Sequence, residues 1–161
     1  MPSFTIHLAV AKKYLEKHKN ENEEEFYRGV IDPDLKDKST SHFGKYSSEP
    51  DLNRYCREVG LNSSYKRGYF LHLLTDDLFY NKYLEGFSEE IYDDYNRINQ
   101  AIIDQYGIEI PDRIKDLVKF ESGETKLLDF DSICKFIDTV GDIELENYKT
   151  EMQEEQEQEI K

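Results

Sequence analysis

Apolar residues along this chain recur at three- and four-residue steps, and alternating runs of Val, Ile and Thr that would mark strands are missing. The pattern predicts an all-α fold. A first helix is expected from about Thr5 to His18, with Leu8, Ala11 and Leu15 on one side. A short second helix through Glu23–Val30 should stop before Pro33, because a proline pushes the preceding residue, here Asp32, out of the helical region. Residues 32–49, DPDLKDKSTSHFGKYSSE, read as a long loop, and such a loop in a compact domain is either functional or disordered. The next helix opens at Pro50, with Ser48 or Glu49 near its cap, and ends at Gly60. Another runs from Ser63 or Ser64 to Gly86, with Gly68 a weak point costing about 1 kcal/mol against alanine. A helix from Ser88 to Gly107 follows, then a short one opened by Pro111 and Asp112 that ends before Gly123. The last runs from Asp131 to about Tyr148. Residues 1–150 are expected to form one metal-binding helical domain without internal repeats, and 151–161, EMQEEQEQEIK, an acidic tail.

The helix after Ser63 carries the candidate chemistry. Tyr65, Tyr69, His72, Asp76, Phe79 and Tyr83 fall at steps of four, three, four, three and four, one continuous stripe. Four of these positions are aromatic, so the stripe faces the core and takes a histidine and an aspartate with it. A buried carboxylate is costly unless compensated. The pair either hydrogen-bonds to itself or places two ligands on one metal or on two neighbouring metals. The chain has four histidines. His42 lies in the long loop, and His7 is on the inner side of the first helix near Val10, Ala11 and Tyr14. His18, among Lys17, Lys19 and Asn20, complements a helix end and is set aside.

Composition narrows the partners. A formal charge of −14 repels polyanions, which excludes an extended nucleic-acid surface, while it attracts cations. No apolar run approaches the roughly 20 residues of a transmembrane helix. The opening MPSFTIHLAVAKKYL lacks the basic and apolar regions of an export signal, and Cys56 and Cys134 lack metal-type spacing. The expectation is therefore a cytoplasmic chain with reduced thiols.

Four segments in order, SFTIHLAVA, GVIDPD, HFG and GYFLHLLTDDLFY, resemble the zinc-dependent phospholipase C family, over roughly residues 1–85. That family shares its helical fold with the single-strand nucleases of the P1/S1 type. The resemblance implies a single multi-helix domain of that type, in which Asp34, His42, His72 and Asp76 ligate one zinc ion. It also implies that His7 ligates a second ion and that Asp76 bridges the two. In such enzymes a metal-activated water attacks phosphorus, and Asp34 would double as the base that orients it. Asp32 is a rival to Asp34, since both flank Pro33; the family pattern has its aspartate after the proline. Asp77 points about 100° away from Asp76 around the helix and is expected at the surface.

Two features depart from the family. The secreted relatives use the amine and carbonyl of a processed N-terminal Trp as ligands, and this chain has no Trp. No histidine follows His72 to build their third site. One or two divalent transition-metal ions are therefore expected, with zinc the first choice. The reading is a hydrolase of a small phosphorylated substrate; the alternative is a non-catalytic protein whose ion pins residues 32–49 to the first and fourth helices. Lys36, Lys38, Lys45, Arg54 and Arg67 are the nearest cations that could meet a phosphate. An HD-type phosphohydrolase would need a His-Asp dipeptide, which the sequence lacks.

Overall fold

Almost every face of the helix that follows Ser63 is apolar near its middle, and in a computed structural model of the protein it is the central element. The structure describes residues 3–44, 46, 48–84 and 88–145, without the side chains of 38 and 39. Among these residues there are seven α-helices and no strand: α1 Phe4–Lys17, α2 Glu23–Leu35, α3 Lys38–Ser41, α4 Leu52–Glu58, α5 Ser64–Leu78, α6 Ile91–Tyr106 and α7 Phe130–Gly141. A π-helical turn, Phe79–Tyr83, prolongs α5, and a 3₁₀ helix, Asp112–Leu117, follows α6. Gly68 to Asp76 of α5 are all buried, so this segment is enclosed on every side. None of the described helices is long and apolar enough to cross a membrane.

Local chemistry sets most of the helix ends. Asn22 accepts from the Glu25 N–H, Ser63 from Lys66 and Asp129 from Ser132, each leaving one orphan donor fewer at a helix start. Asp51 caps α4 in place of the expected Ser48 or Glu49, and the helix begins at Leu52. Gly107 closes α6 with φ +63°, the left-handed conformation that glycine adopts at little cost. The start of α6 at Ile91, rather than Ser88, and the short 3₁₀ helix after Pro111 shift the expected boundaries modestly. Helix α7 ends at Gly141, earlier than anticipated: a Cβ there would lie 2.4 Å from Lys13 Cβ, so the chain crosses α1 in close contact. Gly86, Tyr148 and the tail 151–161 lie outside the described residues.

Two departures matter for the site. Helix α2 does not stop before Pro33 but runs through it to Leu35. Asp32 is held in helical register from outside: its carboxylate accepts 2.5 Å from the Tyr65 hydroxyl and 2.6 Å from Arg113 Nη2. These tertiary bonds outweigh the local preference of a residue before proline. The expected loop at 32–49 is thereby shortened, and α3 shortens it again.

The second departure is Gly68, which is a requirement of the packing rather than a weak point. A Cβ on Gly68 would sit 2.1 Å from the Phe26 carbonyl oxygen, and one on Gly29 would sit 2.1 Å from the Tyr65 oxygen. The two glycines let the backbones of α2 and α5 touch. Around them Ile6, Val10, Phe26, Val30, Phe70, Leu73, Leu74, Phe79, Ile98, Ile102, Ile133 and Ile137 form the main core.

Candidate metal centre

The close approach of α2 and α5 decides where the histidine of the stripe points. With Gly29 against Tyr65 and Tyr69, the Val30 carbonyl comes within 2.6 Å of His72 Nδ1. A carbonyl only accepts, so Nδ1 carries the hydrogen and the lone pair of the neutral ring is on Nε2. That nitrogen faces two carboxylates: Asp34 Oδ1 at 3.3 Å, from the last turn of α2, and Asp76 Oδ2 at 3.2 Å, one turn along α5.

His42, just after α3, completes the group. Its Nε2 lies 2.9 Å from Asp76 Oδ2 and 3.6 Å from Asp34 Oδ1, while its Nδ1 lies 2.8 Å from Ser41 Oγ. The Tyr69 hydroxyl donates to the Ser41 carbonyl at 2.5 Å and fixes this corner of the chain on α5. His7 arrives from α1: its ring stacks on His72 at 3.7 Å and 7° between planes, and its Nε2 lies 3.1 Å from Asp76 Oδ1. Asp76 therefore shows one oxygen to His42 and His72 and the other to His7. The side chains of Asp34, His42, His72 and Asp76 are fully buried and that of His7 nearly so.

The directions of these atoms say more than the distances. Nε2 of His7, His42 and His72 and all four oxygens of Asp34 and Asp76 are buried without a hydrogen-bond partner among the described residues, although nitrogens and oxygens lie 2.9–3.6 Å apart. No ring nitrogen meets a carboxylate in hydrogen-bond geometry, yet one ligand atom each of Asp34, His42, His72 and Asp76 lies within 4.8 Å of the others. A tetrahedral ion with bonds of about 2.1 Å sets its ligands about 3.4 Å apart, within the range observed. Orphaned buried carboxylates are costly, and imidazole mixed with carboxylate is a donor set for divalent transition metals. Asp34, His42, His72 and Asp76 could thus hold a metal ion. The Nδ1 contacts of His72 and His42 are those that orient a ligating ring.

Electrostatics without an ion describe the same need for a cation. Burial acts to lower His72, but Asp34 and Asp76 outweigh it and raise the imidazole to about 10. Burial and the neighbouring His72 lower His7. Burial acts to raise both carboxyl groups, yet His72 above all holds Asp34 below its usual range and Asp76 well below it. Two ionised carboxylates thus share a buried space in which a proton on His72 stands where a cation would.

The other residues singled out in the sequence lie elsewhere. Asp32 makes the Tyr65 and Arg113 bonds and is not among the grouped ligands. His18 caps α1, with Nδ1 2.7 Å from the Tyr14 carbonyl oxygen and Nε2 2.8 Å from Glu144. Asp77 accepts from Asn81 away from the cluster. Arg67 is bound to Glu21 and Arg54 to Glu58. Lys36 lies over the Tyr69 ring, 5.2 Å from its centre. Lys45 lies outside the described residues. Cys56 and Cys134 are half-buried thiols outside the cluster. Nothing along the chain singles out Tyr95, because its spacing from Ile91, Ile98 and Ile102 is that of any core aromatic. Its hydroxyl is buried without a hydrogen-bond partner among the described residues. Comparison with family models, with curated proteins and with solved structures finds no match to this chain in any of the three.

Proposed function

We propose that this protein binds one or two divalent transition-metal ions, zinc foremost, and hydrolyses a small phosphoester, as a member of the phospholipase C/P1 nuclease type. The observation that carries the reading is the convergence of five side chains from four separate segments, with their lone pairs unspent. The residues that meet are those of the four motifs that resemble the phospholipase C family, and the two oxygens of Asp76, turned to different imidazoles, suit a carboxylate shared between two ions.

The ion would supply an activated water and a charge to bind phosphoryl oxygens. The chain supplies the rest. His72 and His42 are held by Val30 and Ser41 with Nε2 inward. Asp34, a carboxylate that the ion itself would keep ionised, would have an oxygen not engaged by the ion to accept a proton from water. The net charge of −14 favours a compact substrate over a long polyanion.

One observation favours a second reading, an ion that only pins α2, α5 and the His42 segment together: the ligating atoms are sealed from solvent. Three measurements on the protein test the two readings. Metal content by plasma mass spectrometry should give one or two equivalents. Manganese-loaded protein should relax water protons through an exchangeable bound water, and the zinc form should cleave p-nitrophenyl phosphate or its diester. A stoichiometric ion without exchangeable water or turnover would leave the structural role; no ion at all would sink both.

A further inference from the structure

Helix α2 carries Asp34 past a proline that locally opposes the helix. Pro33 has no N–H to donate, crowds the carbonyl four residues back, that of Gly29, and disfavours the helical conformation of Asp32. Asp34 nevertheless sits on the last turn, with Oδ1 3.3 Å from His72 Nε2 and 3.6 Å from His42 Nε2. The turn is held from outside. Arg113 Nη2 donates to Asp32 Oδ1 at 2.6 Å, while the Tyr65 hydroxyl donates to Oδ2 at 2.5 Å. Arg113 is itself placed by the 3₁₀ helix Asp112–Leu117, whose Ile114 is fully buried with Ile31, Leu8 and Val118 in a small second core. Ile31 directly precedes Asp32, so this core and the ion pair grip α2 side by side.

We propose that Arg113 is a positioning residue of the metal centre: by pairing with Asp32 it keeps α2 helical through Pro33, and so keeps Asp34 among the ligands. The inference rests on the metal-binding reading above and deepens it, giving the part of the chain beyond the four motifs a role in the site. Arg113 bonds to Asp32 and not to a ligand, so its effect runs through the backbone of one helical turn. Asp32 and Asp34 share that turn, and unwinding it at Asp32 would carry the Asp34 carboxylate away from His72 and His42. Charge alone acts in the opposite sense, because a guanidinium repels a metal cation and its loss would favour binding. A fall in affinity on removing Arg113 therefore reports position.

The test is zinc affinity by chelator competition in the wild type, Arg113→Ala, Pro33→Ala and the double variant, with thermal unfolding of each metal-free protein to establish that it folds. Arg113→Ala should bind zinc about 10- to 100-fold more weakly, the usual effect of losing a group that orients a ligand. Pro33→Ala removes the local obstacle to the helix. It should leave affinity near that of the wild type on its own and restore it in the double variant. If Arg113→Ala does not fold, Arg113→Lys takes its place; it keeps the charge without the guanidinium geometry, and should show a smaller loss that Pro33→Ala again restores. Unchanged or tighter binding without Arg113, or a loss that Pro33→Ala does not restore, would overturn the role of Arg113 and leave the metal site standing. A wild type that takes up no zinc would overturn the site reading and this inference with it.

Discussion

Replacing Asp76 by asparagine keeps the shape of the side chain and removes the charge that three imidazoles face at 2.9, 3.1 and 3.2 Å. Structural zinc sites hold their ion with roughly 10–16 kcal/mol shared over four ligands, so one ligand is worth roughly 3–4 kcal/mol. At about 1.4 kcal/mol per tenfold, zinc affinity should fall several hundredfold. With free zinc at about 1,000 times the wild-type Kd, the wild type gains about 4 kcal/mol and the variant about 1. For a chain of this length each kcal/mol is about 2–4 °C, so the zinc-induced rise in Tm should shrink by roughly 6–12 °C.

The metal-free proteins should differ too. Asp76→Asn leaves the His72 imidazolium facing Asp34 at 3.3 Å and removes one of two like charges from a buried space. The depressed Asp76 carboxyl nevertheless means that its charge stabilises the metal-free fold. The variant should therefore be weakened without zinc as well, by up to the roughly 3–5 kcal/mol of a broken buried pair, and the zinc-induced shift is the quantity that reports the ligand role. Thermal unfolding with and without zinc reads both quantities. A metal-free variant weakened by several kcal/mol, with zinc shifting neither protein, would refute the ligand role and make Asp76 the partner in a buried ion pair.

Three further outcomes follow from the same geometry. His72 is raised from an unfolded value of 6.5 to about 10 in the metal-free fold. Its stabilisation is complete below about pH 6.5 and fades as pH rises toward 10, so urea midpoints of metal-free protein should fall across that window. Zinc loading near pH 7 should release about one proton; midpoints that do not fall, together with no proton release, would contradict a protonated His72. Ser41→Ala removes the contact to His42 Nδ1 and should weaken zinc binding about 10- to 100-fold in chelator competition, an unchanged affinity arguing that Ser41 does not orient the ring. Gly68→Ala should destabilise by about 1–3 kcal/mol in urea, because its Cβ meets the backbone of Phe26; the gain of about 1 kcal/mol that helix propensity alone predicts would refute the close approach.

Much of the site was legible because its signals are local. The stripe from Tyr65 to Tyr83 buries His72 and Asp76 as its period requires, although the structure encloses α5 on all sides instead of one. Caps at Asn22, Ser63 and Asp129 and the left-handed Gly107 act within a few residues of themselves, where sequence is read directly. Pro33 misled for the opposite reason. Its local preference ends a helix, and only Tyr65 and Arg113, 33 and 81 positions away from Asp32, hold that residue in the turn.

The sequence by itself determined that the chain is helical and that His72 and Asp76 share a core-facing stripe, with His7 and His42 as the histidines to watch; Asp34, and the grouping of all five, came from the resemblance to the phospholipase C family. Periodicity, charge and the scarcity of histidines are properties of the chain whatever its tertiary arrangement. The tertiary structure decided that these residues meet, that Asp76 turns one oxygen to each side, and that Gly29 and Gly68 let two backbones touch. Direction and distance between groups far apart in sequence arise only when helices pack, and the chemistry of this interior is set by them.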